Sequence, residues 1–161
     1  MSDQDLDKIL FNEELIFLDL DMDNKEELLK FMSEKLHARK YVKKSFAENL
    51  IKREHAYPTG LKANSIGLAI PHTDAEHVEK SCIAVSVLKR PIDFIAAGSF
   101  EDLVEINIVV LLALKDPNHQ LVLLQNLVDL IQNEEVLRTI INSNNKKGVA
   151  DIINKNLLNK I

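Results

Sequence analysis

The sequence predicts an α/β fold with a mixed β-sheet flanked by helices, and three observations carry that expectation. Segments with helical and with strand periodicity alternate along the chain, which is how layered α/β domains are written in sequence. Residues 105–114 are apolar almost throughout, as a central strand covered on both faces must be. No Gly/Ser/Pro-rich linker interrupts the 161 residues and no internal repeat is present, so one domain over 1–161, large enough for a single core, is expected.

The elements follow in chain order. Ile16, Leu18, Leu20 and Met22 alternate with Phe17, Asp19, Asp21 and Asp23, the period-two pattern of a half-buried strand. Asp23-Asn24-Lys25-Glu26 reads as a helix N-cap with the acid three residues on. The helix it opens carries Leu28, Leu29, Met32 and Leu36 on one face and ends near Arg39. A second amphipathic helix is expected at about 43–55, with Phe46, Ala47, Leu50 and Ile51 inward, and it runs into a turn around Pro58 and Gly60. Two strands, at about 67–70 and 82–88, precede the apolar strand at 105–114. Asp116-Pro117-Asn118 then breaks the chain and caps a long helix carrying Leu121, Leu124, Leu127, Val128 and Ile131. Helices at 133–142 and 146–158 close the domain.

Composition narrows the function classes. A hydrophobic share of 46% with 28% charged residues is that of a soluble globular protein. The longest apolar stretch, 108–114, falls far short of the roughly 20 residues a membrane helix needs. The start, Met1-Ser2-Asp3-Gln4-Asp5, is acidic and polar, unlike a signal peptide. The single cysteine, Cys82, rules out an internal disulfide and fits a reducing cytoplasm. Because it opens an apolar run, Cys82 reads as a small buried hydrophobe rather than a thiol nucleophile. A net charge of −5 and the absence of a basic, aromatic-interleaved stripe argue against nucleic-acid binding.

The candidate chemistry centres on Ala69-Ile70-Pro71-His72. A strand that stops at Pro71 holds His72 at the rim of a sheet, because proline fixes its own φ and cannot donate to the ladder. A neutral imidazole nitrogen held there is a nucleophile at neutral pH, although a polar residue opening a loop would look the same. The run His72-Thr73-Asp74-Ala75-Glu76-His77 does not read as a metal site, since i and i+5 do not share a helix face and no HExxH or cysteine pattern accompanies it. His77 is expected to be an exposed loop or helix-start residue with at most a supporting role, and His37 and His55 lie on amphipathic helices without chemistry.

The segments Arg53-Glu54-His55-Ala56-Tyr57-Pro58-Thr59-Gly60 and Asn64-Ser65-Ile66-Gly67-Leu68-Ala69-Ile70-Pro71-His72 resemble the active-site region of the fructose/mannitol-type (type 2) EIIA domains of the bacterial sugar phosphotransferase system. The likeness continues through Arg90-Pro91-Ile92-Asp93-Phe94 to the helix opening at His119-Gln120-Leu121. Tyr57-Pro58-Thr59-Gly60-Leu61 and Pro71-His72-Thr73-Asp74-Ala75-Glu76-His77-Val78 are most similar to the galactitol-specific branch. The resemblance implies a three-layer α/β/α sandwich and a cytoplasmic phosphocarrier enzyme component that needs no metal or cofactor. It implies that His72 accepts a phosphoryl group from HPr and passes it to a cysteine of EIIB, with Nε2 modified and Nδ1 bound to a backbone carbonyl. The membrane component EIIC would be served only indirectly, without membrane insertion, in uptake of a sugar alcohol such as galactitol. Related regulatory proteins share the Pro-His core, so a signalling role is the alternative.

The resemblance also assigns supporting residues. Arg53, at a helix end, is the expected cation, since a guanidinium holds two phosphoryl oxygens at once. Glu54 either orients Arg53 or is solvated. Thr59 matches a hydroxyl residue expected to bond the phosphoryl group, although Pro58-Thr59-Gly60 by itself is only a turn. Mannitol-type members carry a histidine directly before the Leu-x-x-Leu of the later helix, and in that register Gln120 stands here, one place after His119. Neighbouring helix positions point about 100° apart, so both cannot face the site equally. Gln120, as a neutral amide donor, is the first choice and His119 remains a candidate. Exposed apolar surface is expected around His72, because two partners must dock there in turn.

Overall fold

A computed structural model describes residues 8–159; the acidic start at 1–5 lies outside them. Strands β1 (Ile16–Leu20), β2 (Gly60–Ala63), β3 (Ile66–Ala69), β4 (Cys82–Ile95) and β5 (Leu103–Ala113) form one sheet in the order β1-β4-β5-β3-β2. The β1–β4 and β3–β5 pairs are parallel, whereas β4–β5 and β2–β3 are antiparallel, so the sheet is mixed as expected.

Five helices over the described residues cover the two faces: α1 (Lys25–Ala38), α2 (Phe46–Ala56), α3 (Pro117–Ile131), α4 (Glu134–Asn142) and α5 (Lys146–Ile153). Alternation along β4 and β5 sends Ile83, Val85, Ile108, Val110 and Leu112 to one face, against Leu123 and Leu127 of α3, Ile140 of α4 and Ile153 of α5. Ala84, Val109, Leu111 and Ala113 turn to the other face, against Leu28, Met32 and Leu36 of α1 and Phe46 and Leu50 of α2. This is a three-layer α/β/α sandwich whose central strand is buried on both sides, as its continuous apolar run predicts. Burial of Phe46 and Leu50, worth about 1.5–3 kcal/mol each, anchors the helix that carries Arg53 at its other end.

Several local expectations are revised. The cap of α1 is Asn24, whose side chain accepts from the Glu27 N–H, one residue later than the Asp23 register. In β1 the alternation breaks at Asp19, which sits at φ 50°, so Leu18 packs on the α3–α5 side while Leu20 and Met22 pack on the α1–α2 side. The helix expected from 43 starts at Phe46. β4 runs well past 88, because exposed Pro91 falls within the interval between Val87 and Ile92 where the register shifts, a place where a missing ladder donor is tolerated. The hairpin β2–β3, closed by Asn64 at φ 55°, has no counterpart in the sequence reading, since Gly60-Leu61-Lys62-Ala63 is too short to show a period. The last helix widens into a separate π-helical turn at Asn154–Leu158.

Candidate active site

Beyond β3 the chain stays extended along β5. The Leu112 N–H donates to the Pro71 carbonyl at 3.0 Å, and His72 bridges Leu112 in parallel fashion. The proline therefore continues sheet pairing through its carbonyl while its nitrogen, which cannot donate, is left out. The imidazole turns back on its own backbone, with Nδ1 lying 2.8 Å from the Ile70 carbonyl oxygen. A carbonyl can only accept, so Nδ1 carries the proton and Nε2 keeps its lone pair. Burial is the largest influence on the ring and holds its pKa below the ordinary 6.5. The Ile70 hydrogen bond opposes that shift, the Arg53 charge adds to it and Asp74 opposes it. At neutral pH His72 is thus an uncharged ring with its basic nitrogen on Nε2.

Around it lies a cavity of about 180 Å³ lined by Arg53, His72, Thr73, Asp74, Leu114, Pro117 and Gln120, among others. Arg53 reaches it from the last turn of α2. Its guanidinium carbon lies 4.6 Å from the centroid of the Tyr57 ring, and Nη1 lies 3.8 Å from Asp74 Oδ1. A cation held over a ring face and beside a single carboxylate retains donors for an anion. Gln120 enters from the first turn of α3, whose N-cap Asp116 accepts from the Asn118 N–H. His119 does not line the cavity. Its Nε2 lies 3.9 Å from Asp116 Oδ2 and its Nδ1 is buried without a hydrogen-bond partner. The helical phase set by the cap sends the two neighbours in different directions.

Thr59 and Glu54 depart from the expected arrangement. Glu54 is only 2% exposed and neither solvated nor hydrogen-bonded to Arg53. Its two carboxylate oxygens each accept from Thr59, one from the backbone N–H and one from the hydroxyl, both at 2.7 Å. The Thr59 Oγ1 in turn accepts the Ile70 N–H at 3.1 Å. With its one proton on Glu54, the hydroxyl has none to offer a phosphoryl oxygen, and Thr59 does not line the cavity. Burial pushes the Glu54 carboxyl above its usual range, against the opposing hydrogen bonds from Thr59.

The remaining histidines and the cysteine have plain surroundings. His77, expected to be exposed, has a side chain 14% exposed and places Nδ1 2.8 Å from the Ser45 hydroxyl, tying the turn Ala75–His77 to the start of α2. His55 pairs with Glu26 at 3.0 Å. Cys82 is fully buried and its thiol is pushed up to about 12 by burial, which removes it as a nucleophile. Asp74, which faces Arg53 across the cavity, and Glu54 are the two acids whose placement the sequence did not reveal. Tyr57, beside the arginine, and Leu121, beside Gln120, are 64% and 68% exposed, so large apolar side chains do flank the site.

The family model described as "Phosphoenolpyruvate-dependent sugar phosphotransferase system, EIIA 2" matches residues 9–156. The chain is 29% identical over 118 residues, 73% of its length, to the galactitol-specific EIIA component of the Escherichia coli K12 phosphotransferase system, spanning 78% of that protein. In fold it is similar to the Escherichia coli complex of enzyme IIAMTL and phosphorylated enzyme IIBMTL, with a TM-score of 0.75 at 20% identity over 92% of this chain and 99% of that one. The crystal structure of Escherichia coli IIA mannitol superposes with a TM-score of 0.73 at 23% identity, covering 90% of this chain and 99% of the other.

Proposed function

The chain belongs to the EIIA type 2 family of the phosphoenolpyruvate-dependent sugar phosphotransferase system, and from that premise we propose that His72 is its phosphoryl carrier, over a single EIIA domain spanning 1–161. As a phosphotransferase component of a sugar transport system it handles a phosphoryl group; the finer assignment is to particular atoms and partners. The lone pair on His72 Nε2 attacks the phosphorus of phospho-HPr, forming a new N–P bond as the donor N–P bond breaks and its electron pair returns to the donor ring. A cysteine thiolate of EIIB then attacks the same phosphorus and the pair returns to His72 Nε2. Phosphohistidine is itself a high-energy donor, so the transfer calls for no nucleotide.

The observation that carries this reading is the 2.8 Å approach of His72 Nδ1 to the Ile70 carbonyl, which leaves Nε2 as the unprotonated nitrogen of a residue that lines the same cavity as Arg53 and Gln120. Phosphoryl transfer leaves the protein little to do beyond aligning the nucleophile and stabilising charge on the equatorial oxygens. Arg53 supplies fixed positive charge with a forked set of donors, and Gln120 supplies a neutral amide donor. Among the described residues no helix is long and apolar enough to cross a membrane. Similarity to the galactitol-specific component supports a sugar alcohol as the transported substrate.

Intact-mass spectrometry after incubation with phosphoenolpyruvate, enzyme I and HPr tests the reading. An acid-labile phosphoryl adduct is expected on the wild type and not on His72→Ala. No adduct on the wild type with HPr shown to be charged, or an adduct that persists in His72→Ala, would overturn it. Discharge of the labelled protein by EIIB of a galactitol system, and not by an EIIB of another sugar, is expected of the substrate assignment.

A further inference from the structure

We propose that Glu54 is a positioning residue for His72, acting through the Thr59 hydroxyl and the Ile70 backbone to keep the ring proton on Nδ1 and the lone pair on Nε2; this rests on the reading of His72 as the phosphoryl acceptor. In water a neutral histidine side chain prefers its proton on Nε2, the tautomer that would block attack from that nitrogen. The protein must therefore hold the less favoured form, and it does so with the Ile70 carbonyl. How firmly that carbonyl is aimed depends on what fixes residue 70.

On the acceptor side the segment is held by the Leu112 N–H on the Pro71 carbonyl at 3.0 Å. β3 ends at Ala69, and Pro71 has no N–H, so the segment leading to His72 is pinned from the donor side through Ile70, whose N–H meets Thr59 Oγ1 at 3.1 Å. A hydroxyl alone would be a soft anchor, because its proton rotates to suit its neighbours. Glu54 removes that freedom. Its two oxygens accept the Thr59 N–H and O–H, the latter at 2.7 Å, so the hydroxyl proton is committed to Glu54 and its lone pair is left turned toward Ile70. The second carboxylate oxygen takes the Thr59 N–H at 2.7 Å and fixes the turn that presents the hydroxyl. Donor and acceptor order is thus set in one direction from Glu54 to the imidazole. A carboxylate buried to 2% exposure is costly, and the cost is offset here by two hydrogen bonds from Thr59 that fix both the turn and the donor–acceptor order.

The relay is tested on the full chain with Glu54→Ala, Glu54→Gln and Thr59→Val. Nitrogen-15 NMR of the His72 ring, recorded above its pKa and with no partner present, reads the tautomer directly. The wild type is expected to show the proton on Nδ1, and Glu54→Ala and Thr59→Val a mixture with substantial Nε2–H. With phospho-HPr as donor, kcat should fall about 10- to 100-fold, as for partners that orient other working imidazoles, with KM for phospho-HPr within about twofold. Glu54→Gln keeps the shape: its carbonyl accepts the Thr59 N–H while its amide NH₂ meets the hydroxyl and releases the hydroxyl proton. It should shift tautomer and kcat in the same direction by less, and it serves where Glu54→Ala does not fold. Folded Thr59→Val and Glu54→Gln proteins with the wild-type tautomer and kcat would overturn the proposal, as would a change confined to KM. Should the wild type take no phosphoryl group from charged HPr, the carrier reading fails, while the ring spectra still decide whether Glu54 governs the tautomer.

Discussion

Replacing Gly67 by alanine should loosen the strand that delivers His72 to its position. Gly67 lies in β3 directly over β5, where a Cβ would stand 2.0 Å from the Glu105 carbonyl oxygen, 2.9 Å from its carbon and 3.1 Å from the Ile106 Cα. All three are backbone atoms, so no side chain can rotate away. Ordinary contact begins at 3.4 Å, and the two backbones must part locally by about 1.4 Å to restore it. A ladder bond near 3 Å does not survive such a displacement. The Gly67 N–H bond to Asn107 Oδ1 at 3.0 Å and the adjoining Leu68↔Ile108 pairing stand to be lost. Two hydrogen bonds at about 1 kcal/mol each, with overpacking of about 1–3 kcal/mol partly relieved by their loss, put the cost near 3 kcal/mol. For a chain of this length that lowers Tm by about 6–12 °C. Urea denaturation with an unchanged m-value, beside a thermal melt, measures it. Gly148→Ala is the internal control: its Cβ would meet nothing closer than Ser143 Oγ at 3.6 Å within α5, so alanine there should stabilise by about 0.5–1 kcal/mol. A Gly67→Ala protein within about 0.5 kcal/mol of wild type would refute the close β3–β5 approach on which the argument rests.

Further outcomes are expected of the site. Because burial holds the His72 pKa below 6.5, an NMR titration of the ring should show a midpoint below that value, and phosphoryl acceptance should fall only below it; a midpoint at or above 6.5 contradicts the burial argument. The sign for stability follows. The folded ring binds fewer protons than the unfolded one, so its effect is to lower stability as pH drops through the unfolded value of 6.5, and Arg53→Gln should raise the midpoint by removing a neighbouring positive charge. Gln120→Ala should slow acceptance from phospho-HPr by about 10- to 100-fold while His119→Ala changes it less than about threefold, and the reverse order would mean that α3 presents His119 to the phosphoryl group instead.

Much of the fold is legible along the chain because its signals are local. The apolar run at 105–114 predicts a strand covered on both faces, and the faces of α1 and α2 follow from residues three and four apart. Where the reading fails, a single backbone conformation or a distant partner intervenes. Asp19 in the left-handed region sends Leu20 to the opposite face from Leu18, which no count of alternating residues reveals. β2 exists because it pairs with β3 across Asn64, and four residues carry too little pattern to announce it. The strand expected to end at 88 runs on to Ile95, because a register shift between Val87 and Ile92 absorbs Pro91.

The candidate site divides in the same way. His72 at a strand end and Arg53 at a helix end are local placements, and the sequence by itself determined them through Pro71 and the amphipathic run before Tyr57. Alternation and composition likewise determined the layered fold and the burial of Cys82. Tertiary structure alone decided that Gln120 rather than His119 lines the cavity, that Thr59 serves Glu54 and Ile70, and that Asp74 faces Arg53. The physical reason is range. Strand and helix periods are set by neighbours within a turn, whereas the partner of a hydroxyl or a carboxylate is whichever group the packing of separate elements brings within about 3 Å, and that depends on register and helical phase.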